Sequence, residues 1–294
     1  MIDFFLRYIE TEKRLSPHTV KAYKSDLEQL ALYLSVEYEI TEVQKADFQI
    51  LRSWVMSLVE SKLDHRSVNR KIATLRSFYG FLVRRKHILI DPTPRIVALK
   101  TDKKLPVFVE ETQTQFLFDE VTFADDFNGH RDRLVLEMLY GTGIRLSELI
   151  GLKTVDVHFF DRTIKVLGKR NKQRIIPVGE VLMLCIQKYL QTYRLHFNTE
   201  GTPNYLLLTD DGEQTYPVLI QRIVKSYLSL VTTLSQKSPH VLRHTYATHL
   251  LNRGADLNAI KDLLGHSSLA ATQVYTHNNI ERLKKAYQEA HPKA

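Results

Sequence analysis

Between Arg66 and Lys86 the chain carries seven cations, Arg66, Arg70, Lys71, Arg76, Arg84, Arg85 and Lys86, and not one acidic residue. Through the same stretch Val68, Ile72, Leu75, Tyr79 and Leu82 recur three and four apart, the period of an α-helix. A helix built this way buries one face and turns the other to water or to phosphates. Either use suits the segment taken alone.

The rest of the first hundred residues also reads as helix. Ser16-Pro17 supplies an N-cap and a first-turn proline, and Val20, Tyr23, Leu27, Leu30 and Leu34 follow at helical spacing. A further segment over about 41–63 carries Phe48, Leu51, Val55 and Leu58. Asp91-Pro-Thr-Pro ends the helical part, and the polar stretch around 96–107 lacks a core pattern. We therefore expect a helical domain over 1–98, a linker over 99–106 and a second domain over 107–294.

The second part is mixed. Helices are expected near 111–120, 129–141, 145–151, 180–196, 217–233, 239–252, 256–264, 268–275 and 279–289. Thr163-Ile-Lys-Val-Leu and Arg174-Ile-Ile-Pro-Val read as a β-hairpin whose turn, Gly168-Lys-Arg-Asn-Lys, is rich in cations. The fold class is thus mainly α, with a small antiparallel β-sheet in the C-terminal domain.

The formal net charge is +8. Residues 1–105 hold 19 Lys and Arg against 13 Asp and Glu, and residues 106–294 hold 22 against 20. The excess lies mainly in the helical part and suits a polyanion partner. The single cysteine, Cys185, excludes an internal disulfide; its apolar neighbours make it buried filler, and a reducing, cytoplasmic setting fits. Asp3 and Arg7 interrupt a short apolar start, unlike a signal peptide, and no run is long enough to span a membrane.

Three short blocks could carry chemistry. In Ser238-Pro-His-Val-Leu-Arg, Ser238 can cap a helix, which places His240 and Arg243 three apart at its N-terminal end, where anions are favoured. An arginine grips two phosphate oxygens at once, and a histidine beside it can give or take a proton. Taken alone, the block is better explained as surface polar residues at a helix start. In Gly141-Thr-Gly-Ile-Arg145 the glycines end one helix and Arg145 opens the next. The helix dipole disfavours a cation there, so Arg145 needs a partner: Glu148, or a bound phosphate. Gly265 ends a further helix and leaves His266 in a tight corner, with Tyr275 nine residues on. Read alone, Tyr275 is a packing residue with a wet hydroxyl.

Together these blocks resemble the tyrosine recombinase, or phage integrase, family. The resemblance rests on GTGIRLSELIGL (141–152), GKRNK (168–172), SPHVLRHTYATHLL (238–251) and LGHSSLAATQVYTH (264–277), and LSPHTVKAYKSDLEQL (15–30) is similar to the family's helical core-binding domain. Length and the ending YQEAHPKA look most like the Xer branch. The resemblance implies a two-domain clamp on duplex DNA and a set of catalytic residues: Arg145, Lys169, His240, Arg243, His266 and Tyr275, the nucleophile. Tyr275 would attack a backbone phosphate and form a 3′-phosphotyrosyl bond. Arg145 and Arg243 would neutralise the charge of the transition state, and Lys169 would protonate the departing oxygen. His240 would support phosphate binding and proton transfer, and His266 would donate to the phosphate or steady the pocket. No metal and no cofactor is implied.

The family's turn usually reads Gly-Lys-Gly, and Arg170 stands where the second glycine is expected, which makes Lys172 a rival to Lys169. Arg66, Arg70, Lys71, Arg76, Lys172 and Arg174 are the expected DNA contacts. His244 and His249 read as structural partners within their helix, and His277 as an orienting group for the tyrosine segment. Asn279–Ala294 is amphipathic, with Ile280, Leu283 and Tyr287 at helical spacing, and is expected to dock onto a neighbouring protomer.

The implied partners are duplex DNA with a specific site, a homo- or hetero-tetramer of related recombinases working through a Holliday junction, and an FtsK-like DNA translocase. The implied role is resolution of chromosome dimers at cell division. A mobile-element integrase or transposon recombinase of the same family, an inactive DNA-binding protein and a type IB topoisomerase are the rival readings.

Overall fold

The computed structural model describes residues 1–101, 107–168, 173–265 and 287–292. Lys169, Lys172, His266, Tyr275, His277 and the helix expected over 268–275 lie outside the described residues. The chain divides into two compact units, Met1–Lys104 and Leu105–Ala294.

The first unit is helical: α1 (Ile2–Thr11), α2 (Pro17–Tyr38), α3 (Phe48–Glu60) and α4 (His65–Arg84). Ser16 caps α2 as expected, accepting from the Thr19 N–H at 3.3 Å, and Asp47 caps α3. Leu27, Leu30, Leu51, Trp54, Leu75 and Phe78 lie in one core. The apolar stripe of α4 faces that core, while Arg66, Arg70, Arg76 and Arg84 face outward. Lys71 departs from the expectation for this helix. It is 4% exposed, and its ammonium donates to Asp26 Oδ1 at 2.9 Å and to Gln29 Oε1 at 2.6 Å on α2. Arg70 Nη1 and Thr74 Oγ1 donate to the other oxygen of Asp26.

Part of the expected linker is held to α4. Arg76 Nη2 donates to Ile96 O, Asn69 exchanges two hydrogen bonds with the Leu99 backbone, and His65 Nδ1 donates to Lys100 O. Positions 65, 69 and 76 lie along one side of the helix, so the chain from 96 to 100 runs against it.

The second unit holds α5 (Glu111–Asp119), α6 (Phe127–Thr142), α7 (Leu146–Ile150), a hairpin region, α8 (Glu180–His196), α9 (Pro217–Val231), α10 (Pro239–Asn252) and α11 (Leu257–Leu264). Strands β1 (Val157–His158), β2 (Thr163–Leu167) and β3 (Gln173–Pro177) form an antiparallel sheet in that order. The expected hairpin is β2–β3, with Lys165 opposite Ile175. The two residues of β1 are too few to show a period, so the sequence did not announce it. Helix α6 runs through the core, and Leu134, Leu139, Tyr140, Ile186, Leu242 and Tyr246 are buried around it. Cys185 is half-buried against the same core.

Two local expectations change. Ser238 is the N-cap of α10, but its side chain makes no capping bond; Pro239 starts the helix. Gly141 lies inside α6, and Gly143, with φ +59°, ends it. Of the C-terminal segment, Ile280 and Leu283 lie outside the described residues; among the described ones Tyr287, Ala290 and His291 are buried, and Tyr287 Oη accepts from the Gly179 N–H at 3.3 Å. His291 stacks on Tyr287 with ring centroids 4.7 Å apart, because positions four apart share a helix face.

Candidate active site

The site forms where α6, β3, α10 and α11 end or begin near one another. Gly143 turns the chain out of α6 in the left-handed region. A Cβ there would lie 2.6 Å from the Tyr246 ring and 2.9 Å from Leu264, so glycine is required on two counts. Arg145, two residues on, is the N-cap of α7. Its backbone N–H donates to Glu148 Oε2 at 2.8 Å and its Nη1 to Oε1 at 2.7 Å. The carboxylate partner considered for Arg145 is therefore in place.

Glu148 has a second partner. Arg174 donates from Nη1 to Oε1 at 2.9 Å and from Nη2 to Oε2 at 2.8 Å, a two-pronged pair. Arg174 is 4% exposed. Together with Lys71 it corrects the expected list of DNA contacts, since a side chain enclosed in its own unit and paired to a carboxylate has no phosphate within reach. The signal was present in both cases. Arg174 shares a strand face with Ile176 and Val178, which are 0% and 5% exposed, and Lys71 falls on the helical stripe of Val68 and Leu75.

Arg243, on α10, is 9% exposed; its Nη1 donates to Gly143 O and its Nη2 to Leu264 O at 2.7 Å. Arg145 Nη2 donates to Gly265 O at 3.0 Å, and Arg174 Nε to Leu263 O at 3.0 Å. Three guanidiniums thus meet three successive carbonyls at the C-terminal end of α11. Those carbonyls have no partners within the helix, and the dipole there favours cations. Gly265 closes the helix with φ +63°, and the next residue is His266. His240 stands three residues before Arg243 on α10 and is exposed, unlike Arg243.

The electrostatics follow from this packing. Burial alone would raise the Glu148 carboxyl, but the hydrogen bonds and charge of Arg174, aided by Arg145, hold it down at about 2. Burial and then the neighbouring Arg145 and Arg174 lower the Arg243 guanidinium to about 10, so it stays charged at neutral pH. One carboxylate among three guanidiniums leaves two positive charges in excess. A phosphodiester gains negative charge as it is attacked, and fixed donors in a partly dry site stabilise that gain most.

Behind the site, α10 makes a second set of bonds. His249 Nε2 donates to Val109 O at 3.0 Å, and its Nδ1 accepts from Tyr140 Oη at 3.0 Å. Thr245 Oγ1 accepts from the Val109 N–H at 2.9 Å. His249 is structural, as expected, but its partners lie across the fold and not within its helix. Burial lowers its pKa, which keeps the neutral ring this pattern needs.

A helical fold with one small antiparallel sheet, and a half-buried Arg145 with a buried Arg243 near a histidine at a helix start, fit the tyrosine recombinase class of DNA-rejoining enzymes. Comparison with known proteins agrees. The profile described as the Phage integrase family matches residues 108–282, and that of the phage integrase N-terminal SAM-like domain matches residues 2–86. Tyrosine recombinase XerC of Chlorobaculum parvum is 38% identical over 100% of this chain and 94% of its own length. Tyrosine recombinase XerD of Staphylococcus haemolyticus is 36% identical over 100% and 99%. In fold, the Tn1549 transposon integrase in complex with transposon right end DNA is similar, with a TM-score of 0.72, 19% identity and coverage of 95% and 96%. So is the XerH site-specific recombinase bound to a palindromic difH substrate, with a TM-score of 0.71, 19% identity and coverage of 97% and 93%. The chain belongs to the phage integrase family and is a site-specific DNA recombinase.

Proposed function

We propose that this recombinase cleaves duplex DNA through Tyr275 and serves the resolution of chromosome dimers at cell division. The observation that carries the chemistry is the anchoring of Arg145 and Arg243 on the last carbonyls of α11, one residue before His266. Each guanidinium keeps further N–H groups for a phosphate. Tyr275 Oη bonds to phosphorus, the bond to the 5′-oxygen breaks, and a 3′-phosphotyrosyl link forms. The phenol proton leaves with help from His240, and Lys169 gives a proton to the departing 5′-oxygen, with Lys172 as the rival donor. The bond energy is kept in the linkage, so rejoining needs no nucleotide. His266 donates to the phosphate.

Arg66, Arg70 and Arg76, exposed on α4, supply phosphate contacts in the first unit, and the two domains grip the duplex as a clamp. The working assembly is a tetramer of this chain, alone or with a related recombinase, on two sites, acting in the cytoplasm under an FtsK-like translocase. Full-length similarity to proteins named XerC and XerD supports the chromosomal role over that of a mobile element.

The test is a nicked suicide duplex carrying a dif-type site, incubated with EDTA. Wild type should form a covalent protein–DNA complex, and Tyr275→Phe should bind equally and form none. A covalent band that survives the substitution overturns the assignment of the nucleophile. Cleavage confined to the ends of a mobile element would overturn the chromosomal role.

A further inference from the structure

We infer that Arg174 is a positioning residue for the cleavage step: it shares Glu148 and the end of α11 with Arg145, so that Arg145 is not drawn wholly into the carboxylate and keeps its remaining N–H groups for the phosphate. This rests on the recombinase chemistry proposed above and extends it to a side chain that touches no DNA.

Arg174 is buried and makes three bonds, two to Glu148 and one to Leu263 O. Glu148 is also the ion-pair partner of Arg145. With both oxygens already engaged by Arg174, the carboxylate shares its charge between two guanidiniums. Arg145, whose side chain is 24% exposed, is the one of the two that faces outward. Without Arg174 the carboxylate would belong to Arg145 alone, and a guanidinium drawn into a private pair with a buried carboxylate presents less charge to a substrate.

The second function of Arg174 is steric. A Cβ on Gly265 would lie 3.1 Å from Arg174 Cδ and 3.3 Å from its Nη1, so the arginine lies against the Gly265 backbone. One side chain thereby sets the place of Arg145 through Glu148 and that of the end of α11 through Leu263. A shift of about 1 Å at reacting groups can lower a rate about 100-fold.

The probe is a nicked suicide duplex bearing the sequence that wild type selects from random DNA, with single-turnover formation of the covalent complex measured at saturating protein. Arg174→Gln should slow that rate about 100-fold, while half-saturation and the salt dependence of binding stay at wild-type values. A second duplex carries a methylphosphonate at the scissile position, which removes the oxygen charge that Arg145 serves. On it the gap between Arg174→Gln and wild type should narrow about tenfold or more, because less charge is left for a misplaced guanidinium to miss. Arg174→Lys retains a cation but cannot bridge both oxygens, and should show the same pattern if the glutamine variant does not fold. Weaker binding with a shallower salt slope would make Arg174 a phosphate contact and overturn the inference. An equal slowing on both duplexes would reduce its role to scaffolding and overturn it too. The wild-type covalent band tests the recombinase reading by itself; the ratio of variant to wild type tests Arg174.

Discussion

Glu148 and Arg174 are 26 residues apart in the chain, yet the arginine of β3 grips both carboxylate oxygens, at 2.9 and 2.8 Å, beside the 2.7 Å bond from Arg145 at the start of α7 itself. Because the Glu148 carboxyl is held at about 2, below its unfolded value of 4.5, it contributes stability above about pH 4.5 that is lost as the pH falls toward 2. The full shift corresponds to roughly 3 kcal/mol. Urea unfolding of wild type between pH 6 and 3 should show this loss, and Glu148→Gln should start lower and fall less steeply. Parallel curves for the two proteins would contradict the pairing.

In the first unit the corresponding buried charge is Asp26, which is 1% exposed and holds Lys71, Arg70 and Thr74. Asp26→Ala leaves the Lys71 ammonium enclosed without its carboxylate. Unfolding should be easier by about 3–5 kcal/mol, read from denaturant midpoints. Replacing Asp26 and Lys71 together by apolar residues should recover much of that loss, since an empty pair is less costly than half of one.

The Tyr246 ring is fully buried against Gly143, and its hydroxyl has no hydrogen-bond partner among the described residues. Tyr246→Phe removes that unsatisfied group without altering the ring, so the midpoint of thermal unfolding should rise, by about 1 kcal/mol or more in stability. Gly143→Ala should act in the opposite sense, because it meets the same ring and a positive φ. A tyrosine more stable than the phenylalanine would mean the hydroxyl is satisfied.

Tyr287 tests where the C-terminal segment docks. Its ring is 2% exposed against its own chain, so Tyr287→Ala should lower stability by about 3–5 kcal/mol at every protein concentration. A loss that appears only at concentrations where protomers associate would place the segment on a neighbouring copy.

Most of the elements and the order of the reactive side chains were legible in the sequence. Apolar spacing marked α2, α4 and α8–α11, and alternation with a cationic turn marked β2 and β3, because both periods are local properties of the backbone. The ordered blocks around Arg145, His240 and Arg243 pointed to phosphate chemistry before any geometry was known. Tertiary structure decided which cations are free. Lys71 and Arg174 look like their basic neighbours in a list of residues, yet each points inward to a carboxylate on a different element, at a separation no local pattern encodes. It also decided that three arginines converge on the end of α11, since an orphan carbonyl attracts whichever donor the packing of four elements brings to it. Residue order thus determined what chemistry the chain could do, and packing decided which of its charges are left to do it.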